Sequence, residues 1–189
     1  MRPGTQRETR GTAAPERDRM DTLIDGWRRE LPDLDRPEFD LVKRAARLGQ
    51  LLEDALGECL APWNLARADY SVLSVLRTAG SDFELRPTDL RDRLLLTSGG
   101  VSNIVNRLER LRLVRRLPDP DDGRSSWVKL TSDGAEVAEE IMRTWAAVQQ
   151  QMFSTLSQEL AQQGSDVLRA VLLALGDREP KAPAIRRTG

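Results

Sequence analysis

The 189-residue chain contains no histidine and a single cysteine, Cys59. Without histidine, a Ser-His-Asp triad and a histidine-ligated metal centre are excluded. One cysteine can form neither an intrachain disulfide nor a cysteine-rich zinc site. We interpret Cys59 as a small buried hydrophobic residue, because free cysteines are commonly buried and inert. Since no phosphate-binding loop or dinucleotide fingerprint is present, we expect neither an enzyme nor a bound cofactor, and carboxylate chemistry is the enzymatic alternative that composition leaves open.

Long apolar runs are also missing. The first twenty residues carry almost no apolar side chains, so they lack the core of a secretory signal, and no stretch approaches a membrane span. We therefore expect a cytoplasmic protein without a membrane partner, and a disordered tail over residues 1–19.

Charge is unevenly distributed although the net charge is only −1. Between Arg86 and Arg116 eight arginines stand against three acidic residues, whereas acidic residues dominate from Ser132 to Glu179. A basic middle segment with acidic flanks is typical of a DNA-facing lobe on an acidic body. The alternative is that these arginines only keep helix faces soluble.

Residues 87–111 have the pattern of two short helices joined by a tight turn. Pro87 suits the first turn of a helix, because its φ is fixed and it has no N–H to leave unpaired. Thr97 or Ser98 can cap the second helix. Apolar residues at helical spacing predict the inner faces, which we assign in the first helix to Leu90, Leu94 and Leu95, and in the second to Val101, Ile104, Val105, Leu108 and Leu111.

The second helix carries polar side chains that could read DNA. Asparagine and arginine form bidentate hydrogen bonds with adenine and guanine edges respectively, and Gly99 and Gly100 leave room for backbone to approach a phosphate. The polar positions are Ser102, Asn103, Asn106, Arg107 and Arg110. An ordinary amphipathic helix pair with a solvated polar face is the alternative.

A basic β-hairpin is predicted over residues 113–131. Strand-like runs at 113–117 and 126–130 flank residues 118–123, which are dense in turn formers. Arg124 could enter a narrow minor groove, where the potential is most negative, and Asp122 could hold it by an ion pair. Although a solvated hairpin tip would look similar, a helix pair followed by such a hairpin is the layout of a winged helix-turn-helix.

The helix pair and the hairpin resemble the DNA-binding lobe of MarR-family transcriptional regulators. The resemblance covers about residues 39–175 and is specific over residues 87–134. The matching motifs are Leu108-Glu109, Leu113-Val114-Arg115-Arg116, Asp119-Pro120-Asp121-Asp122-Gly123-Arg124 and Leu130-Thr131-Ser132-Asp133-Gly134. Arg112 departs from the family, which usually has glycine there. The resemblance implies that the second helix of the pair, the recognition helix, enters the major groove, and that Arg124 enters the minor groove. The predicted DNA-binding residues are Thr88, Ser98, Gly100, Ser102, Asn103, Asn106, Arg107, Asp122 and Arg124.

Residues 25–35 and 97–103 are similar to the PecS-like, urate-responsive subgroup, which has an added N-terminal helix. This resemblance implies an effector site for a small anionic or aromatic molecule, with ligand-binding residues Trp27, Ser71 and Arg116. Ser71 and Ile104 stand where the subgroup has an aspartate and a second arginine. Asp69 is the alternative carboxylate, since it lies two residues from Ser71.

Apolar stripes at helical spacing predict long helices at both ends of the chain, over residues 20–30, 38–60, 132–153 and 157–175, with a further helix over 67–79 before the helix-turn-helix. A two-fold partner is the simplest cover for the stripes, and the monomer's own core is the alternative. We assign an added helix and first dimerisation helix (20–60), a DNA-binding lobe (61–131), C-terminal dimerisation helices (132–175) and a flexible tail (176–189).

The expected fold is mainly α: a winged helix-turn-helix with a two-stranded wing and long terminal dimerisation helices. The expected function is a homodimeric repressor that binds a pseudo-palindromic operator in successive major grooves and is released by a small ligand. The alternative is a ligand-independent activator or architectural protein that keeps the fold but has lost the effector pocket.

Overall fold

The structure, a computed structural model, describes residues 16–80, 82–119 and 126–178. It divides into two compact units, Met1–Glu53 and Asp54–Gly189. The elements are α1 (Arg19–Glu30), α2 (Pro37–Leu60), α3 (Arg67–Arg77), β1 (Glu84–Leu85), α4 (Pro87–Leu94), α5 (Ser98–Arg110), β2 (Val114–Pro118), β3 (Ser126–Leu130), α6 (Ser132–Met152) and α7 (Gln158–Ala174). Within these described ranges, no helix has the length and apolar character needed to cross a membrane.

The first unit contains α1 and the start of α2, joined by ion pairs. Asp18 caps α1, since its carboxylate accepts from the Met20 and Asp21 N–H groups at 2.7 and 3.1 Å. Arg44 of α2 lies 2.7 Å from Asp18 and 2.6 Å from Asp21. Arg28 of α1 reaches Asp40 of α2 at 3.0 Å. The added N-terminal helix is therefore present and is bound to α2 by charged side chains.

The second unit holds the helix-turn-helix and its wing. The core is formed by apolar side chains from α3 through α6, including Leu73, Leu90, Val105, Trp127 and Ile141. The wing strands β2 and β3 pair antiparallel from Val114↔Leu130 to Pro118↔Ser126. The short strand β1 adds to the other edge of β3, so the sheet has three strands in the order β1-β3-β2. The winged helix-turn-helix fold predicted from sequence is confirmed, with one strand more than expected.

Threonine caps begin both α5, as predicted, and α6. Thr97 begins α5, because its hydroxyl accepts from the Gly100 N–H at 3.1 Å. Thr131 begins α6 in the same way, accepting from the Gly134 N–H at 2.9 Å. Gly176, with φ of 85°, follows the end of α7.

The prediction for Leu95 was wrong. Leu95 was assigned to the inner face of the first helix, but α4 ends at Leu94 and Leu95 adopts a left-handed φ of 52°. Its side chain is 84% exposed, whereas Leu90 is fully buried. The helical spacing continues by chance beyond the point where the backbone leaves the helix.

Two further sequence interpretations concern α3 and Cys59. The helix predicted over 67–79 ends at Arg77, and the Thr78 hydroxyl donates to the Ser74 and Val75 carbonyls of the last turn. Cys59 is buried in α2, as predicted, and burial raises the pKa of its thiol. The predicted terminal tails fall largely outside the described residues.

Candidate nucleic-acid interface

The recognition helix α5 separates an apolar face from a polar one. Val101, Val105 and Leu108 are buried against the rest of the lobe, and α5 contacts α3 and α4. Ser98, Ser102 and Asn103 are exposed. Thr88 is exposed in the first turn of α4. Gly100 uses its N–H to complete the Thr97 cap, so the backbone there is already hydrogen-bonded.

Arg107 is hydrogen-bonded within the protein, although 41% of its side chain is exposed. Its Nε lies 3.2 Å from the Asp69 carboxylate, and its Nη2 donates to the Asn64 carbonyl at 2.9 Å. The Asp69 side chain is 3% exposed. Asp69, the alternative ligand carboxylate in our sequence interpretation, is thus a buried partner of the recognition helix.

Arg116 and Asn106 form a second link, between the wing and the recognition helix. The Arg116 Nη2 donates to the Asn106 amide oxygen at 2.9 Å, and its Nε lies 3.1 Å from Glu109. The Arg116 backbone N–H also donates to Glu109 at 3.1 Å. Sequence reasoning assigned Asn106 to DNA and Arg116 to a ligand, and the structure brings the two side chains together.

The base of the wing is held by a pair that sequence reasoning missed. Arg86, directly before α4, lies 2.8 Å from Asp119, whose side chain is only 1% exposed. The Arg86 guanidinium also stacks over the Trp127 ring at 4.9 Å, a favourable cation–π geometry. No local pattern connects Arg86 to Asp119. The predicted minor-groove residues Asp122 and Arg124 lie outside the described residues.

The three predicted ligand-binding residues are divided between the units. Trp27, 43% exposed, lies on α1 in the first unit, where it shares an open surface with Leu23. Ser71 and Arg116 lie in the second unit. The Ser71 hydroxyl donates to the Arg67 carbonyl of its own helix at 3.0 Å, and Arg116 is bound by Glu109 and Asn106 as described above.

A helix-turn-helix that exposes polar side chains on its second helix and continues into a β-hairpin defines a winged helix-turn-helix protein of the DNA-binding class. Residues 63–125 match the model of the MarR family. Multiple antibiotic resistance protein MarR of Escherichia coli K12 is 32% identical over 108 residues, which are 53% of this chain and 73% of that protein. The chain therefore belongs to the MarR family and is a DNA-binding transcriptional regulator.

Two further relatives show the extent of the similarity. The HTH-type transcriptional regulator PecS of Dickeya dadantii is 24% identical over 137 residues, 72% of this chain and 82% of that one. The crystal structure of an Escherichia coli MarR mutant complexed with operator DNA has a TM-score of 0.64 and 25% identity, covering 77% of this chain and 97% of the other.

Proposed function

We propose that the protein is a homodimeric repressor that binds a pseudo-palindromic operator and is released by a small anionic or aromatic effector. The observation that carries the DNA-binding part is the exposed row of Ser98, Ser102 and Asn103 opposite the buried face of α5. Asn103 presents an exposed amide that suits an adenine edge. The similar Escherichia coli MarR mutant was crystallised in complex with operator DNA, which supports operator binding by this chain.

The homodimer is supported by the apolar face of α7. No α7 residue is buried within the described part of the single chain. Leu160 and Val167 are 54% and 57% exposed, and Leu168 and Leu172 are also exposed. Since burying a leucine or valine side chain stabilises by about 1.5–3 kcal/mol, a two-fold partner is the expected cover. Two recognition helices would then reach half-sites about one helical turn apart.

Release by an effector is supported by the position of Arg116. An anion that competes with Glu109 for the Arg116 guanidinium would also free Asn106, and both of those residues lie on the recognition helix. The ligand would thereby favour one arrangement of helix and wing over another, which is the condition for a ligand to shift an equilibrium. The resemblance of residues 25–35 to the urate-responsive subgroup and the exposure of Trp27 support a site for a small anionic or aromatic effector.

A ligand-independent regulator is the second candidate, and a specific observation favours it. Arg116 is already paired with Glu109, Asp69 with Arg107, and Ser71 with a carbonyl of its own helix. An effector would have to displace these partners, whereas a regulator without an effector would simply keep them.

The test is DNA binding by the full chain across a salt series, with and without urate, on its own upstream DNA and on fragments selected from genomic DNA. Selective, salt-sensitive binding that urate weakens supports the effector-released repressor. Selective binding unaffected by urate, and by phenolic and antibiotic-like compounds in a thermal-shift screen, supports the second candidate. Equal affinity for selected and random DNA would contradict both.

The Arg116→Ala variant separates the two roles of this arginine. If Arg116 binds the effector, the variant should keep selective DNA binding while losing its response to the effector. An equal change in DNA affinity with and without effector would assign Arg116 to the DNA-binding surface alone.

A further inference from the structure

The carboxylate of Asp69 serves two partners from a buried position. It accepts from the Ala66 N–H at 2.8 Å, which completes the first turn of α3. The same oxygen lies 3.2 Å from the Arg107 Nε. A buried carboxylate is costly unless it is paired and hydrogen-bonded, so Arg107 is a required partner of Asp69 in this lobe.

Arg107 binds a second segment as well. Its Nη2 donates to the carbonyl of Asn64, which ends the short 3-10 helix Ala61–Trp63 in a left-handed conformation with φ of 52°. One guanidinium therefore connects the recognition helix to the start of α3 and to the connection that follows α2. Arginine presents its donors in a rigid fork, so these two contacts restrict the direction of α5.

We propose that Arg107 is a positioning residue for DNA binding, and that Asp69 determines DNA affinity through it although Asp69 does not face the DNA. Nε and Nη2 form one edge of the guanidinium, and both are engaged within the protein. In this proposal base reading is assigned to Ser98, Ser102 and Asn103, which are exposed. This inference rests on the proposed operator binding.

Asp69→Asn tests the proposal by the direction in which it changes the affinity for DNA. Removing an acidic group from a DNA-binding lobe should tighten binding if only overall charge mattered. If Asp69 positions the recognition helix, the variant should instead bind about tenfold more weakly, because one charge-assisted hydrogen bond is lost. The probes are the duplex that wild type selects from a randomised pool and a shuffled duplex of the same length.

Asp89→Asn is the matched control. Asp89 caps the first turn of α4 through the Arg86 N–H, and in the described part of the chain no arginine or lysine is ion-paired with it. The variant makes the same charge change in the same lobe. We expect its affinity for the selected duplex to equal or exceed that of wild type.

Arg107 variants separate positioning from direct contact. Arg107→Lys keeps the charge but not the fork, so it should lose affinity as Arg107→Ala does. The slope of log affinity against log salt should stay unchanged in Arg107→Ala, whereas loss of a phosphate contact would reduce it by about 1. The double variant Asp69→Asn/Arg107→Ala should bind no more weakly than either single variant, because both remove one interaction.

Three results would overturn the proposal: tighter or unchanged binding by Asp69→Asn, wild-type binding by Arg107→Lys, or additive losses in the double variant. Thermal melts identify variants that do not fold, in which case Arg107→Lys carries the decision. Amide hydrogen exchange of the free protein gives a readout independent of DNA: in Asp69→Asn, exchange should rise over the second half of α5 and not over the wing strands. Failure of wild type to select any duplex would refute operator binding itself.

Discussion

Arg112 follows the recognition helix in a conformation that favours glycine. Its φ is 58°, and the Leu113 N–H to Leu108 carbonyl and Arg112 N–H to Glu109 carbonyl hydrogen bonds close the helix end around it. A side chain in the left-handed region costs roughly 1–2 kcal/mol. We therefore expect Arg112→Gly to stabilise the protein by about 1 kcal/mol in urea unfolding, since the strain removed exceeds the entropy that glycine adds to the unfolded chain.

The control is Arg110→Gly, two residues earlier and still helical. Glycine within a helix costs about 1 kcal/mol, so the two arginine-to-glycine changes should have opposite signs. Destabilisation by both would mean that the Arg112 side chain contributes more than its backbone conformation costs.

Gly134 permits a close approach between the start of α6 and the chain entering the wing. A Cβ at this position would lie 1.8 Å from the Leu113 carbonyl oxygen, an atom of the backbone that also accepts from the Thr131 N–H. Gly134→Ala must displace one of these segments, so we expect a loss of about 3 kcal/mol or more in the free energy of unfolding.

Gly57→Ala in α2 is the matched control for that measurement. No described atom lies within 4 Å of its added Cβ, and alanine is favoured over glycine in a helix by about 0.5–1 kcal/mol. The control should be neutral or stabilising. A small effect of Gly134→Ala on the free energy of unfolding, comparable with that of Gly57→Ala, would show that the start of α6 and the chain entering the wing can move apart at little cost.

At the scale of elements, the contact between α1 and α2 depends on ionised side chains. The hydrogen bond from Arg44 of α2 lowers the pKa of Asp18 below its ordinary value, and within the α1 segment a hydrogen bond from Arg17 lowers the pKa of Asp25. A lowered pKa in the folded state contributes stability above the unfolded pKa and loses it as pH falls through the folded value. We expect α1 to lose hydrogen-exchange protection below about pH 4, and to lose part of it in high salt.

Arg44→Gln should reproduce this loss at neutral pH, because it removes the partner of both Asp18 and Asp21. Arg47→Gln is the control, since Arg47 lies on the same helix and donates to the neutral side chain of Gln50. Equal protection of α1 in wild type and Arg44→Gln would assign its stability to apolar contacts instead.

The elements of the lobe were predictable where their signals are local. Pro87, Thr97 and Thr131 mark helix starts by properties of their own residues, and the turn formers after Pro118 separate the two wing strands. Strand β1 was not predictable, because its two residues become a strand only by pairing with β3. The end of α4 at Leu94 was missed because leucines continue at helical spacing beyond it.

The residues that form the site were predictable from the sequence, but the side-chain pairs that they form were not. Sequence periodicity places Ser102 and Asn103 on an exposed face of α5, and the structure agrees. The pairs Arg107 with Asp69, Arg116 with Asn106 and Arg86 with Asp119 each join separate elements. Such partners depend on tertiary packing, which a single sequence does not reveal.

At the scale of the whole molecule, the exposed apolar face of α7 predicts a dimer, and charged side chains placed on that face should prevent the dimer from forming. We expect Leu160→Glu/Val167→Glu to shift the protein from dimer to monomer in sedimentation velocity, because two carboxylates would have to be buried at the interface. Gln162→Glu is the control, since it adds a charge beside Asp166 on the polar face of the same helix and should leave the dimer intact.

The same variants connect assembly to DNA binding. When one recognition helix binds its half-site, the dimer holds the second near the other half-site at a high effective concentration. The monomeric variant should therefore bind a two-half-site duplex about 100-fold more weakly than wild type, but bind a single half-site equally well. Wild-type sedimentation as a monomer at all concentrations, or full affinity of the monomeric variant for the longer duplex, would contradict a two-fold dimer, and the apolar face of α7 would then need another partner.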